Sequence, residues 1–301
     1  MDRLEEKLSK FAAVEKDVPL SSMTTLRIGG IAKYVVYPET DVALDSILRL
    51  LKKNNVPWKF LGKGSDILAS DDPYDGVIIR LDREYNHSYF QDCMVTAQAG
   101  CSLVVLAYDA MKHGLSGLEF ACGIPGTVGG AIYMNAGAYR SSMADVITEV
   151  FIYAHGKFEW IPASHCKFGY RSSIFQEHPG WVILGCRMNL KPKDREEISD
   201  LMDDRRARRI ASQPLEYPSC GSVFRNPPGV NAWELIDGIG YRGKSLGGAY
   251  VSDKHCNFIV NRDHASAKDF LALVEEIQQK VKEKYDISLQ MEMEKFNWQK
   301  K

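Results

Sequence analysis

The stretch Gly123-Ile-Pro-Gly-Thr-Val-Gly-Gly-Ala-Ile-Tyr-Met-Asn-Ala-Gly-Ala-Tyr139 contains five glycines and a proline. Glycine reaches positive φ at little cost and, without a Cβ, lets a ligand approach the backbone. Ordering so many glycines is entropically expensive, and a plain surface loop would carry Ser, Asp and Lys between them. This stretch has Ala, Ile, Val and Met instead. It therefore predicts a backbone cradle whose N–H groups surround a phosphate or a flat cofactor.

The composition is that of a globular protein with room for two domains: 301 residues, 45% hydrophobic and 26% charged. A formal net charge of -1 argues against a dedicated nucleic-acid binder. The basic run 205–209 is typical of a charged helix face. No apolar stretch approaches the roughly 20 residues that span a bilayer, and the charged N-terminus lacks a signal-peptide apolar region. We therefore expect a cytoplasmic protein without membrane insertion.

The cysteines and histidines show no metal-binding or redox spacing. Seven cysteines are scattered without a CxxC pair, and seven histidines lack HxxxH and HExxH spacing. The sequence therefore predicts reduced, mostly buried thiols and no metal site.

Hydrophobic periodicity predicts the main elements. Helices are expected over 41–55, 102–113 and 194–211, and after a capping box at Ser266 and Asp269. Strands are expected over 58–61, 77–81, 93–97, 146–154, 157–161 and 181–190, with a half-buried, alternating strand over 287–294. Because no regular βαβ rhythm appears, we predict an α+β fold. A polar break at 191–194 suggests domains over 1–192 and 193–301.

Several individual motifs carry little weight alone. Gly238-Ile-Gly-Tyr-Arg-Gly243 matches GxGxxG, but poor helix-forming residues follow it, so we reject a Rossmann site. Ser222 lies beside a glycine without a GxSxG elbow, which argues against a hydrolase nucleophile. Arg171 could grip a carboxylate through its planar guanidinium, although a surface arginine is the simpler interpretation. Glu292, taken alone, would be a solvated carboxylate.

Together, ordered motifs along nearly the whole chain resemble the UDP-N-acetylenolpyruvoylglucosamine reductase family, flavoenzymes that complete UDP-N-acetylmuramic acid for peptidoglycan. The motifs lie at 24–30, 62–66, 117–130, 134–139, 170–172, 213–215, 220–224, 247–249, 255 and 258–261. A tyrosine loop typical of the first structural type is absent between Tyr170 and Leu190, so the chain is similar to the second type.

The resemblance implies a vanillyl-alcohol-oxidase (PCMH-type) FAD domain, with a core from about residue 26, followed by a smaller α+β substrate-binding domain. FAD would be non-covalent, with NADPH as co-substrate, a UDP-sugar as substrate and a monomer as the expected state. The FAD-binding residues implied are Arg27, Gly62, Lys63, Gly64, Ser65, Asp66, Gly123, Ile124, Pro125, Gly126, Thr127, Gly129, Gly130, Asn135, Ala136 and Gly137. Substrate-binding residues implied are Arg209, Gln213, Arg225 and Asn226.

The catalytic residues implied are Arg171, Ser222 and Glu292. Glu292 is preferred to Glu294 because it follows Leu289 in the family's Leu-x-x-Glu spacing. The chain departs from the family pattern at four positions: Asp66, Arg140, Arg225 and Asn257 replace Asn, Gly, Lys and Gly. It also lacks the usual Arg and Gly in the terminal 292–297 segment.

Two other functions remain open from the sequence. One is another FAD oxidoreductase of the same cofactor-domain family that acts on an alcohol. The other is a flavin-binding protein without catalysis. The cradle interpretation also predicts that valine at Gly126 or Gly129 blocks FAD binding while the protein still folds.

Overall fold

A computed structural model describes residues 3–298. Its helices are α1 Arg3–Leu8, α2 Asp41–Lys53, α3 Leu103–Lys112, α4 Val128–Tyr133, α5 Arg195–Ser212, α6 Ala232–Gly238 and α7 Ala267–Tyr285. Its strands are β1 Ala12–Pro19, β2 Ile31–Pro38, β3 Trp58–Phe60, β4 Ile67–Ala69, β5 Tyr74–Ile79, β6 Ser88–Gln91, β7 Met94–Gln98, β8 Leu115–Ser116, β9 Gly137–Ala138, β10 Ser141–Ser142, β11 Ile147–Ala154, β12 Lys157–Pro162, β13 Val182–Asn189, β14 Lys191–Pro192, β15 Ser245–Leu246, β16 Ala249–Val251, β17 Ile259–Asn261 and β18 Glu294–Phe296.

The chain forms two compact units. Unit 1 comprises 1–15, 34–63 and 76–208, and unit 2 comprises 16–33, 64–75 and 209–301. Residues 64–75 join the C-terminal unit because β4 pairs in parallel with β18, more than two hundred residues later. Hydrophobic patterning along the chain does not reveal such a long-range pairing. The domain boundary predicted between residues 192 and 193 stays a prediction. The chain passes from unit 1 to unit 2 later than this, after Arg208.

Unit 1 is built on a five-stranded antiparallel sheet in the order β12-β11-β13-β7-β6. The strands predicted over 146–154 and 157–161 pair as a hairpin, with His155 and Gly156 both at positive φ in its turn. Helix α3, which precedes the glycine-rich stretch, contributes Leu106 to the core beneath this sheet, and α4, which lies within the stretch, contributes Val128. The sheet and its helices thus give the central stretch a rigid support.

A second core of unit 1 forms around α2. The sequence predicts an apolar stripe on this helix, and Leu44, Ile47, Leu48 and Leu51 are buried. Val42, which the same pattern includes, is instead 76% exposed at the start of the helix. The Thr40 hydroxyl accepts a hydrogen bond from the Ala43 N–H at 3.1 Å, which caps the helix as expected. Strands in the order β1-β2-β5-β3 form a further sheet, in which β3 and β5 run parallel.

Unit 2 contains α7 and the three-stranded sheet β15-β16-β17. The capping box at Ser266 and Asp269 is confirmed, and the helix that follows it buries residues 270, 274, 277 and 281 along one face. The Asp71 carboxylate also accepts the Ala267 N–H at 2.9 Å, which stabilises the N-terminus of this helix. The rejected GxGxxG match lies where α6 ends at Gly238, with Gly240 at positive φ, so its glycines terminate a helix.

The predicted strand over 287–294 is wrong as a continuous element. Only Met291 forms a bridge, with Phe224, before β18 begins at Glu294. The backbone changes partner here: the Glu292 N–H donates to the Val223 carbonyl, whereas the Glu294 N–H donates to the Asp66 carbonyl, both at 2.9 Å. Alternating hydrophobicity fits both pairings, so the sequence pattern does not show the break between them.

Within residues 3–298, no helix combines the length and the apolar character that crossing a membrane requires. The same residues contain no group of three or more His, Cys, Asp or Glu that could hold a metal ion.

The cysteines are mostly buried, as the sequence predicts. Cys93 is half-buried and the other six are buried. Burial raises the pKa of the Cys101 and Cys166 thiols to about 11, so both stay protonated and poorly nucleophilic at pH 8.

We expect a thiol-specific reagent at pH 8 to modify Cys93 rapidly in the folded protein and the remaining cysteines only after unfolding in guanidinium. Mass spectrometry of the labelled peptides measures this directly. Rapid modification of Cys101 or Cys166 without unfolding would contradict the burial that the structure gives them.

Candidate active site

The central glycine-rich stretch folds as a turn that leads into α4. Thr127 caps this helix, since its hydroxyl accepts the Gly130 N–H at 3.3 Å. The turn is fastened to the start of α3: the Leu103 N–H donates to the Gly126 carbonyl at 3.0 Å, and the Val128 N–H donates to the Cys101 carbonyl at 2.9 Å. The stretch is therefore an ordered part of the core of unit 1.

The interpretation of this stretch as a nest of N–H donors is wrong for its central residues. The N–H groups of Val128, Gly129 and Gly130 donate to Cys101 O, Ala99 O and Thr127 Oγ1, respectively. The fold itself uses these donors, so a bound phosphate would have to meet other groups. That the stretch contacts FAD stays a prediction.

Two neighbouring glycines of α4 are required for different reasons. A Cβ on Gly129 would lie 3.0 Å from the Ala99 Cβ and 3.2 Å from the Ala99 carbonyl oxygen, so this glycine permits close packing within the protein. A Cβ on Gly130 would meet only Thr127 Oγ1, at 3.5 Å, and Gly130 is exposed. Gly130 therefore presents open backbone of the kind that a flat cofactor can approach.

The second predicted cofactor segment divides between the units. In unit 1, a Cβ on Gly62 would lie 2.5 Å from Thr127 Oγ1, so Gly62 packs directly on the cap of α4. In unit 2, Gly64 has φ +60°, and a Cβ there would clash with the Met23 carbonyl oxygen. The Gly64 carbonyl accepts the Thr25 N–H at 3.2 Å, within the turn that leads to Arg27. These close backbone contacts fit a glycine-lined cofactor site.

Arg171 lies in a tightly held loop of unit 1. Its backbone is left-handed, with φ +53°, and its guanidinium donates to the Gly137 carbonyl at 3.0 Å. The Asn135 amide holds the same loop, because Nδ2 donates to Gly169 O and Oδ1 accepts the Ala144 N–H, both at 2.9 Å. Backbone strain of this kind persists only where surrounding contacts enforce it.

Two further side chains hold the Arg171 loop against the end of α4. The Gln176 Nε2 donates to the Arg171 and Tyr133 carbonyls, each at 3.2 Å. The buried Ser173 hydroxyl also donates to Tyr133 O, at 2.6 Å. Neither residue is predicted from the sequence, since polar side chains in a turn-rich segment carry no periodic signal. Their only signal is their position shortly after Arg171.

In unit 2, Ser222 and Glu292 lie on adjacent antiparallel segments. Val223, directly after Ser222, accepts the Glu292 N–H at 2.9 Å, and Phe224 forms a bridge with Met291. Both predicted catalytic residues are half-buried. Gly221, directly before Ser222, has φ +80°, a conformation that favours glycine. The structure thus brings together two of the three predicted catalytic residues within one unit.

The Cys220 and His255 side chains of unit 2 have shifted pKa values. Burial raises the pKa of the fully enclosed Cys220 thiol, and the negative charges of Asp66 and Glu292 raise it further. Burial lowers the pKa of His255, which keeps this imidazole neutral at neutral pH. Its Nδ1 accepts the Asn257 N–H at 3.2 Å, so the proton of the neutral ring lies on Nε2.

The four predicted substrate-binding residues lie in unit 2. The side-chain oxygen of Gln213 is buried and accepts no hydrogen bond from any residue of the described chain. A ligand N–H or O–H would satisfy this acceptor. The Asn226 side chain instead accepts the Ala232 N–H at 3.0 Å, at the start of α6. The Gln213 N–H donates to the Arg209 carbonyl at 2.9 Å, which continues α5 into this segment.

Comparison with known proteins first defines the class. Residues 32–160 match an FAD binding domain, and residues 213–296 match the UDP-N-acetylenolpyruvoylglucosamine reductase C-terminal domain. The chain is thus a two-domain FAD-binding protein, and the predicted order of domains and α+β class are confirmed. A glucose dehydrogenase, Phl p 4.0202, aligns over 75% of the chain with TM-score 0.50 and 13% identity, a likeness that concerns the fold alone.

Full-length relatives then define the family. A UDP-N-acetylenolpyruvoylglucosamine reductase from Anoxybacillus flavithermus is 38% identical over 98% of both chains, and one from Bacillus subtilis is 40% identical over 92% of this chain and 91% of its own. The crystal structure of the reductase from Thermus caldophilus aligns with TM-score 0.82 at 37% identity, covering 95% of this chain and 100% of that one. The chain belongs to the UDP-N-acetylenolpyruvoylglucosamine reductase family, as its motifs predicted.

We expect Gly130→Val to fold as the parent does but to lose most of its FAD affinity, because the new side chain occupies open backbone rather than protein. Gly129→Ala, one residue away, should instead lower the thermal stability of the apoprotein, since Ala99 must shift. Flavin-fluorescence titration and thermal unfolding of the apoprotein measure the two effects.

This expectation corrects the one for Gly129 from the sequence, because valine there would disturb the fold before it met a cofactor. Parent-like FAD affinity in Gly130→Val would remove Gly130 from the cofactor site.

Proposed function

We propose that this protein is an FAD-containing oxidoreductase that uses NADPH to reduce UDP-N-acetyl-3-O-(1-carboxyvinyl)-glucosamine to UDP-N-acetylmuramate in peptidoglycan biosynthesis. Its full-length membership of the reductase family supports the reaction. The structural observation that carries the mechanism is the backbone pairing of the Ser222 segment with the Glu292 segment. This pairing supports a joint catalytic role for the Ser222 hydroxyl and the Glu292 carboxyl group, although the two residues are 70 positions apart in the sequence.

The glycine-lined segments would hold the cofactor. We assign the contacts to Gly62–Asp66, to the stretch from Gly123 to Gly137 and to Arg27, among which the exposed backbone of Gly130 is open to a ligand. FAD held by these residues would supply hydride-transfer chemistry, with NADPH as the source of the hydride and the terminal vinyl carbon of the substrate as its acceptor. The close packing of Gly62 on Thr127 keeps this part of the site rigid.

Arg171 has the role of stabilising charge on the substrate as a cation, and Glu292 has this role as a group that is kept able to hydrogen-bond or donate. Hydride addition to the vinyl group places negative charge on the substrate carboxylate and forms an enolate-like species. A preorganised cation or hydrogen-bond donor stabilises such charge, often as the largest contribution to catalysis. The hydrogen bonds to Gly169 and to the Arg171 carbonyl hold the backbone of this loop, and the bond from the guanidinium to the Gly137 carbonyl orients the charged group in advance.

Ser222 has the role of proton donor to the carbon next to the hydride acceptor. A serine hydroxyl is a weak acid in water, but an enolate in a site without bulk water is basic enough to take its proton. The register supports Glu292 rather than Glu294 as its partner. Glu292 pairs with Val223 beside Ser222, whereas Glu294 pairs with Asp66 at the start of β4.

The remaining assignments concern ligands and location. Arg209, Gln213, Arg225 and Asn226 would bind the UDP-sugar, and the unsatisfied Gln213 oxygen is the clearest acceptor for a ligand donor. NADPH and the sugar nucleotide would occupy one cleft in turn. We assign the protein to the cytoplasm, where both ligands are available, and expect a monomer.

One spectrum separates this function from the alternatives. We expect purified protein to be yellow and NADPH to bleach it under anaerobic conditions. A yellow protein that NADPH does not bleach would favour an alcohol-oxidising enzyme or a non-catalytic flavin-binding protein. A protein that takes up no FAD would contradict every flavin function considered.

We expect Ser222→Ala to leave reduction of the flavin by NADPH near the parent rate. Reoxidation by the enolpyruvyl substrate should slow by at least ~10²-fold, the usual size of a lost general acid. Stopped-flow absorbance measures the two half-reactions separately, and exposed Ser245→Ala in β15 is the control. Equal slowing of both half-reactions would make Ser222 structural, and unimpaired reoxidation would remove it from the mechanism.

A further inference from the structure

We propose that Asn257 is a positioning residue for Ser222, an inference that rests on the proposed function. Asn257 stands at a position where the family pattern has glycine, and no role was assigned to it from the sequence. Its side chain is 3% exposed, so it is buried within unit 2.

Three hydrogen bonds join Asn257 to the two residues that follow Ser222. Its side-chain Oδ1 accepts the Phe224 N–H at 2.9 Å, and its Nδ2 donates to the Phe224 carbonyl at 2.8 Å. Its backbone carbonyl accepts the Val223 N–H at 2.8 Å. The amide therefore pairs with Phe224 as the backbone of a neighbouring strand would, and both of its polar ends are satisfied.

The opposite side of the same segment carries the carboxylate. Val223 accepts the Glu292 N–H, Phe224 bridges to Met291, and the Arg225 N–H donates to the Gln290 carbonyl at 2.9 Å. Residues 223–225 are thus held between Asn257 and the segment 290–292. A side chain that fixes this middle segment fixes the register of Ser222 against Glu292.

Ser222 needs this support because its other neighbour provides little. Gly221 has positive φ, and no atom lies within 4 Å of the position that its Cβ would take. Glycine has the widest conformational freedom of any residue. The direction of the Ser222 hydroxyl is therefore set from its C-terminal side, where Asn257 makes the side-chain contacts.

Removing the amide would leave two buried backbone groups of Phe224 without these partners. An unsatisfied buried donor or acceptor carries its full desolvation penalty, so the segment would shift to find other partners. A displacement of about 1 Å in a reacting group can lower a rate about 10²-fold. Both polar atoms of the Asn257 side chain are hydrogen-bonded to Phe224. Asn257 therefore acts by positioning Ser222 and not by contacting the substrate.

The test compares Asn257→Gly, which introduces the family residue, with Asn257→Asp, which keeps the volume and the acceptor for the Phe224 N–H. We expect Asn257→Gly to slow substrate-dependent reoxidation by about 10-fold to 10²-fold, with reduction by NADPH unchanged within about twofold. Asn257→Asp should fall between this variant and the parent. The ratio of the reduction rate to the reoxidation rate, measured in one preparation, does not depend on how much of the protein is folded or loaded with FAD.

Hydrogen exchange supplies a readout that is independent of turnover. We expect the Phe224 amide to exchange at least about tenfold faster in Asn257→Gly, as the loss of one buried hydrogen bond implies, while α7 exchanges at the parent rate. Ser266→Ala, which removes the cap of α7, is the matched control: it destabilises unit 2 but should leave the ratio of half-reaction rates unchanged.

The outcomes are distinct. Equal slowing of both half-reactions, or a parent-like ratio in both Asn257 variants, would overturn the positioning role. If the glycine variant does not fold, the aspartate variant alone decides, since a parent-like ratio there contradicts the proposal. A parent protein that the enolpyruvyl substrate cannot reoxidise would instead overturn the proposed function itself.

Discussion

The hydrogen bond from the Glu292 N–H to the Val223 carbonyl is the contact on which the proposed chemistry of unit 2 depends. It sets the register between a C-terminal segment and the turn that carries Ser222. Two residues later the chain pairs with Asp66 and enters β18 beside β4. This change of partner distinguishes Glu292 from Glu294, although the two carboxylates follow the same alternating pattern in the sequence.

Glycine serves several physical purposes in this protein, and only some concern a ligand. Gly129 allows α4 to pack against Ala99, Gly62 allows contact with Thr127, and Gly64 adopts a left-handed backbone. Gly130 alone among these four combines exposure with room for a ligand. A glycine-rich motif therefore does not show by itself which of its glycines serve packing and which leave backbone open to a ligand.

Side-chain amides, two of them buried, support the segments that carry the predicted catalytic residues. Asn135 and Gln176 hold the Arg171 loop in unit 1, and Asn257 holds the Ser222 segment in unit 2. In each case the amide bonds to irregular backbone that no helix or sheet satisfies. Such backbone must find partners when it is buried, and a fully satisfied network makes its geometry unique. Irregular segments that carry reactive groups thereby gain the rigidity of regular structure.

The sequence by itself determined the family, the α+β class, the FAD domain, the four longest helices and six of the strands, because periodicity and caps such as Thr40 and Ser266 act locally. Its ordered motifs also named the candidate residues. Only the tertiary structure decided that 64–75 joins the C-terminal unit, that the 287–294 segment breaks at its change of partner, and that Asn257 pairs with Phe224. These features arise from hydrogen bonds between residues far apart in the chain, and a local pattern carries no record of its distant partner.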